Sequence, residues 1–192
     1  MRSLCVYCGS SDSVHTNYFE GAKLMGRVLA ENGIELVYGG GKTGLMGAVA
    51  DGAIASGGVV RGVIVESMNT QALAHQGLAS LEVTDSMQHR KWRMFEMSDG
   101  FIAMPGGYGT FDELFETVTW AQIGVHEKPI GLLNLRDYFK PLWEMVKHAE
   151  QEGFIYKEHT DMLFMSADPS QLIGMMRLHE PNRDAVNRWM RK

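Results

Sequence analysis

The chain has 192 residues, of which 45% are hydrophobic and 21% charged, with a formal net charge of -5. That is the size of one ordinary domain with one substantial core, expected to span 1–192. No apolar run approaches the roughly 18 residues of a membrane span, no basic segment with a cleavage site opens the chain, and the basic residues form no stripe. Membranes, export and nucleic acid are thereby excluded as main themes, and a cytoplasmic location is expected.

The first predicted strand, Ser3 to Cys8, contains both cysteines. A C-x-x-C pair at a helix start would suggest redox or zinc chemistry. On a strand, residues three apart point to opposite faces, so Cys5 and Cys8 read as buried small apolar residues. Further strands are expected at Glu35 to Tyr38, Val59 to Val65, Leu81 to Thr84, Gly100 to Met104, Ile130 to Leu133 and Met162 to Ser166. Between them the spacing predicts helices at Asn17 to Asn32, Leu45 to Ser56, Ser86 to Ser98, Phe111 to Val125, Asp137 to Gln151 and from Pro169 onward. Gly33, Gly57-Gly58 and Gly153 stand where left-handed helix ends are expected. The segment from Glu180 to Lys192 is polar with isolated Val186, Trp189 and Met190, and reads as a docking helix or a tail.

Strands alternating with helices imply right-handed crossovers and a mostly parallel sheet of about seven strands. The expected fold is α/β, Rossmann-like and doubly wound, with helices on both faces. Ligands of such folds bind outside the carboxyl ends of the strands, near helix N-termini rich in free N–H groups. Five loops lie there: Gly9 to Thr16, Gly39 to Gly44, Glu66 to Ser80, Asp85 to Arg90 and Pro105 to Thr110.

The second loop, Leu36-Val-Tyr-Gly-Gly-Gly-Lys-Thr-Gly44, invites two phosphate readings. A Walker loop, G-x-x-x-x-G-K-[ST], would need glycine where Leu36 stands, so Lys42 only resembles a Walker lysine. The spacing of Gly39, Gly41 and Gly44 fits the dinucleotide turn G-x-G-x-x-G, yet it follows the second strand and lacks the usual acidic partner except Glu66. What survives is a tight turn opening a helix at Thr43-Gly44, either a phosphate holder or a crowded packing turn.

The loop Pro105-Gly-Gly-Tyr-Gly-Thr110 runs from a buried-type strand into a helix. Thr110 and Glu113 have capping-box spacing, so Glu113 can simply bond back to the helix start, whereas the permissive backbone before the helix can form an anion-binding nest. Arg90 and Lys91 lie early in the third helix, where cations oppose the dipole at a cost of a few tenths of about 1 kcal/mol. Either solvent or something negative compensates them. In the helix from Phe111, the stripe Phe111, Leu114, Phe115 and Val118 is expected to face inward, leaving Glu113, Glu116 and Thr119 to border a cleft.

Pro105-Gly-Gly-Tyr-Gly-Thr-Phe-Asp-Glu113 resembles the P-G-G-x-G-T-x-x-E signature of the LOG ("Lonely guy") family, whose members are also labelled lysine decarboxylases. His89-Arg90-Lys91-x-x-Met94, Gly9-Ser10-Ser11 and Gly39-Gly-Gly-x-x-Gly44-Leu-Met-Gly47 resemble its other motifs. The resemblance extends through Trp120-Ala-Gln122 and Glu152-Gly-Phe154. It implies hydrolysis of the N-glycosidic bond of a cytokinin riboside 5'-monophosphate or AMP, to free base and ribose 5-phosphate, by a cofactor-free and metal-independent homodimer.

By that resemblance Arg90 and Glu113 are the catalytic pair. Substrate-binding positions are Gly9, Ser10, Gly40, Gly41, Gly44, Met46, Lys91, Pro105, Gly106, Gly107, Tyr108, Gly109, Thr110, Phe111, Asp112 and Thr119. The chain departs from many relatives in placing Ala72 where they carry an acidic residue. A non-catalytic nucleotide-binding module is the rival expectation, since related folds carry ligands without cleaving them.

Overall fold

The computed structural model describes residues 1–181, and the end of the polar C-terminal segment therefore lies outside the described residues. The strands are β1 (Ser3–Tyr7), β2 (Glu35–Tyr38), β3 (Val60–Val65), β4 (Ser80–Thr84), β5 (Phe101–Ala103), β6 (Ile130–Leu133) and β7 (Leu163–Ser166). The helices are α1 (Thr16–Glu31), α2 (Gly44–Ala55), α3 (Met87–Glu96), α4 (Tyr108–Gln122), α5 (Lys140–Gln151), the short α6 (Lys157–Thr160) and α7 (Pro169–Arg177). Each expected strand and long helix is present, with ends shifted by a few residues. The largest shifts are at α4, which starts before Phe111, and α5, which starts after left-handed Arg136 (φ 54°) and Asp137 (φ 58°).

The strands form one parallel sheet in the order β4-β3-β2-β1-β5-β6-β7. The order reverses between β1 and β5, so the loops leaving those two strands diverge and open a crevice between them. β3 reaches β4 without an α-helix, through a short 3-10 turn (Glu66–Met68) and the strap that follows it to Ala79. A parallel pair ordinarily needs a helical crossover. Here the strap takes that place: it leaves β3 at the carboxyl edge and returns to the amino edge, where the Ala79 N–H donates to the Val60 carbonyl.

Alternation along β1 divides the core. Leu4, Val6 and Cys8 pack with α1, α2 and α7, while Cys5 and Tyr7 pack with α3 and α4 on the other face. Both cysteines are free and buried, one in each layer. Gly33, Gly57 and Gly153 all have positive φ at helix ends, as their positions predict.

The facing of α4 differs from the expectation. Its buried side is Thr110, Glu113, Leu114, Thr117 and Ala121, whereas Phe115 is 40% exposed. The helix is turned because its polar residues have partners beneath it. The Thr117 hydroxyl donates to the Glu113 carbonyl (2.8 Å) and accepts from the Tyr7 phenol (3.1 Å), and Glu113 meets an arginine described below.

Candidate active site

All five loops expected at the carboxyl edge contribute to one cleft of about 470 Å³. Cys8, Gly9 and Ser10 come from the end of β1, Gly39, Gly41 and Thr43 from the loop after β2, and Met68 and Leu73 from the strap. Met87 and Arg90 come from α3, and residues 107–110 with Asp112 and Glu113 from the start of α4. The volume is in the range of about 300–1,000 Å³ typical of small-molecule sites.

The sheet order separates the walls chemically. Met46, Ile64, Met68, Leu73 and Met87 belong to elements on the β2–β3–β4 side and give an apolar, adaptable surface. Ser10, Gly107, Gly109 and Thr110 belong to the β1–β5 side, where hydroxyls and backbone N–H groups are offered.

Arg90 and Glu113 meet at the floor. The Arg90 Nη1 donates to Glu113 Oε1 at 3.0 Å, and its Nε donates to the Val63 carbonyl at 3.0 Å, with only 10% of either side chain exposed. Burial pushes the Glu113 carboxyl above its ordinary pKa, and the Arg90 charge pulls back against that shift. Glu113 therefore holds a proton more readily than a surface carboxylate, as a general base working near neutrality requires.

Lys91 turns to the other side of α3. Its Nζ donates to Asp112 (3.0 Å) and Glu116 (3.0 Å) on α4. Burial of this ammonium works to lower its pKa, but the bonds to Glu116 and Asp112 outweigh it and raise the value. The basic pair expected to meet either solvent or something negative thus meets three carboxylates of α4, Glu113 on Arg90 and Asp112 with Glu116 on Lys91, and these bonds tie the two helices together.

The two glycine-rich turns differ. At α2 the Gly44 N–H is taken by the Asp12 carboxylate (2.8 Å), and the Leu45 N–H by the Gly9 carbonyl (2.9 Å). The helix start expected to hold a phosphate is thus closed by protein, and neither Gly40 nor Gly44 lines the cleft. Gly44 is instead a close approach: its φ is +60°, and a Cβ there would stand 2.4 Å from the Ser10 carbonyl carbon. At α4 the N-cap is Gly107 and no side chain caps it. The expected capping box does not form, because the helix starts before Thr110 and Glu113 lies inside it, so the first N–H groups of α4 have no side-chain cap and are open to a ligand.

Other site residues fall nearby. Pro105 and Gly106 line an adjoining chamber of about 320 Å³ that shares Gly9, Ser10 and Gly107 with the cleft, and the Tyr138 hydroxyl donates to the Gly106 carbonyl there. Phe111 is half-buried against the α3–α4 core. Thr119 lies outside the cleft: it faces a separate apolar cavity with Phe115 and Trp143, and its hydroxyl donates to the Phe115 carbonyl at 2.7 Å. Six residues along an α-helix turn a side chain by about 120°, so with Glu113 facing the cleft Thr119 faces elsewhere.

Asp12, Ile64, Met68, Leu73 and Met87 were not singled out by the sequence, although three of the loops that carry them were. For Met68 and Leu73 the signal, an apolar residue in an otherwise polar strap, is too common to pick out alone. Among the described residues no group of three His, Cys, Asp or Glu side chains is placed to hold a metal ion. Among them, too, no helix is long and apolar enough to cross a membrane.

A family model described as possible lysine decarboxylase matches residues 46–176. The cytokinin riboside 5'-monophosphate phosphoribohydrolase LOG of Oryza sativa subsp. japonica is 37% identical over 188 residues, which cover 98% of this chain and 78% of its own. The Arabidopsis thaliana enzyme of the same description, LOG7, is 37% identical over 185 residues, or 96% and 85% of the two chains. Among solved structures, the molybdenum cofactor binding protein of Rippkaea orientalis superposes with a TM-score of 0.69 at 22% identity, covering 91% of this chain and 94% of that one. The molybdenum cofactor carrier protein of Chlamydomonas reinhardtii does so with a TM-score of 0.68 at 20% identity, covering 91% and 95%. At these identities the two structures share the fold.

Proposed function

The chain belongs to the family described as possible lysine decarboxylase and is a relative of the plant cytokinin riboside 5'-monophosphate phosphoribohydrolases, and on that premise we propose that it hydrolyses the N-glycosidic bond of cytokinin riboside 5'-monophosphates, or of AMP, to free base and ribose 5-phosphate. The buried Arg90–Glu113 pair beside an uncapped helix start carries this reading.

The 5'-phosphate sits on the free N–H groups at the start of α4, with Ser10 and Thr110 beside it. The base lies toward Met46, Met68 and Met87, whose flexible thioethers suit a planar ring and an apolar N6 substituent. C1' is then near Glu113. Water adds its oxygen to C1', the C1'–N bond breaks with its electron pair going to the base, and Glu113 takes the proton from water and returns it to the departing base. The carboxylate also stabilises positive charge developing on the ribose. The Arg90 charge favours the ionised carboxylate against the effect of burial, and its hydrogen bond orients it.

Decarboxylation of an amino acid on a pyridoxal cofactor would need a lysine facing the cleft. Lys91 is committed to Asp112 and Glu116, the Lys42 amine donates to the Gln71 carbonyl, and neither lines the cleft. The exposed apolar residues Trp92, Phe115 and Val125 on and after α3 and α4 support a homodimer, in a cytoplasmic protein of a single domain.

The direct test is incubation with AMP and with isopentenyladenosine monophosphate, followed by chromatography for the free base. Folded protein that binds either nucleotide and releases no base would overturn the hydrolase and leave a carrier.

A further inference from the structure

We propose that Gly39 is a positioning residue, whose lack of a side chain keeps open the slot through which the Arg90 guanidinium reaches Glu113. The proposal deepens the hydrolase reading and rests on it for its catalytic meaning.

Gly39 follows the last residue of β2. A Cβ built on it would lie 2.0 Å from Arg90 Nη2 and 3.3 Å from both Arg90 Cζ and Met46 Sδ. The first distance is far inside any van der Waals contact, so one partner has to move. The glycine backbone is fixed in the turn, and the arginine is fixed by its own bonds: Nε to the Val63 carbonyl and Nη1 to Glu113, each at 3.0 Å and buried. Giving up either leaves a buried donor or acceptor without a partner.

The neighbouring glycines are there for other reasons. Gly40 has a φ of +72°, which only glycine adopts without strain, and a Cβ on Gly41 would meet the mobile end of Met46, its Cε, at 2.5 Å. Gly39 is not among the glycines with positive φ. Positive φ therefore does not require glycine here, and the severe objection to alanine comes from Arg90, with Met46 Sδ giving way by a few tenths of an ångström. Moving the guanidinium away removes the charge that offsets the burial of Glu113, so the carboxyl should titrate at higher pH.

The experiment follows the Glu113 carboxyl by 13C NMR, which needs no turnover, alongside the pH profile of base release from AMP. Five proteins are compared: wild type, Gly39→Ala, Gly41→Ala, Arg90→Lys, and Gly39→Ala combined with Arg90→Lys. Gly39→Ala is expected to raise the Glu113 midpoint, move the acid limb of the rate profile with it, and lower kcat about 100-fold, the usual consequence of misplacing a catalytic group by about 1 Å. Gly41→Ala should leave the midpoint in place. Lysine has no Nη2, so Gly39→Ala should change little in the Arg90→Lys background.

An unshifted midpoint in Gly39→Ala, or an undiminished effect of Gly39→Ala in the Arg90→Lys background, overturns the proposal. If Gly39→Ala alone does not fold, the double variant decides: recovery of folding supports the clash with the guanidinium, and continued failure overturns it. A wild type that releases no base while Gly39→Ala still shifts the midpoint refutes the hydrolase and leaves the positioning intact.

Discussion

The turn 39–44 and the turn 105–110 leave the sheet on either side of β1, at the same edge, and each runs through glycines into a helix. The first is closed by its own protein: Asp12 and the Gly9 carbonyl take the N–H groups that open α2. The second has a glycine N-cap with no side-chain partner, and the carboxylate further along its helix, Glu113, is held by Arg90. Two turns of similar composition thus do different work. One packs the floor of the cleft and the other is available to an anion, and the difference is made by residues distant in sequence.

The comparison breaks most severely at Glu113. Glu113→Gln should lower kcat for base release by about 10²- to 10⁴-fold, the usual worth of a general base, with the folded state retained. The glutamine oxygen can still accept from Arg90, and glutamine fills the same buried space as glutamate. Arg90→Ala is the more damaging change for the fold, because it strands a buried carboxylate. A loss of about 3–5 kcal/mol is expected, read from denaturant midpoints. A Glu113→Gln variant that turns over normally would remove the carboxylate from the mechanism.

The same pair sets a pH dependence. Because the folded-state pKa of Glu113 lies above its ordinary value, the native protein binds a proton that the unfolded chain does not in the window between the two. This group's contribution to stability therefore improves as pH falls through that window, while activity falls as the base is protonated. Opposite slopes of melting temperature and kcat/KM, measured from neutral pH downward in a variant series at position 113, would isolate the contribution. Parallel slopes in wild type and Glu113→Gln would contradict it.

Asp12→Ala sharpens the contrast between the turns. Removing the carboxylate that accepts from Gly44 should cost about 0.5–2 kcal/mol of stability, as for other lost helix caps, with kcat/KM for AMP nearly unchanged. Inorganic phosphate should raise the melting temperature of wild type by binding at α4. In Asp12→Ala it should raise it slightly further, because α2 then also offers the Gly44 N–H, its Leu45 N–H staying on the Gly9 carbonyl. An equal response in the two proteins would mean that the start of α2 is not an anion site even when vacated.

How far the sequence discloses this arrangement depends on the range of the interactions. The strand and helix order is carried by periodicity and by glycine helix ends, which are local, and the five ligand loops follow from topology alone. The facing of α4 is not local. Phe115 is the more hydrophobic candidate for the interior, yet the buried positions go to Glu113 and Thr117 because Arg90 and Tyr7 lie beneath them, 23 and 110 residues away in the chain. The role of Asp12 is hidden for the same reason, its partner Gly44 being 32 residues on. Family resemblance supplied Arg90 and Glu113 as a pair, and the structure supplies the reason that Gly39 has to accompany them.

Lys42→Ala is the mildest change and the one that most directly tests the resemblance to a Walker loop. If Lys42 gripped a phosphate, its loss would weaken nucleotide binding strongly. Its Nζ instead donates to the Gln71 carbonyl in an exposed setting at 2.6 Å, and its backbone N–H donates to the Leu73 carbonyl at 2.8 Å. Together with the bridge between Gly41 and Ala74, these bonds fasten the strap over the turn. Alanine keeps the backbone bonds and loses only the solvent-facing one, worth about 0.5–1.5 kcal/mol at most. KM for AMP should therefore rise only slightly through a looser Leu73 wall, and kcat should be kept. A kcat loss comparable to that of Glu113→Gln would place the lysine in the chemistry and make the α2 turn, rather than the α4 turn, the phosphate site.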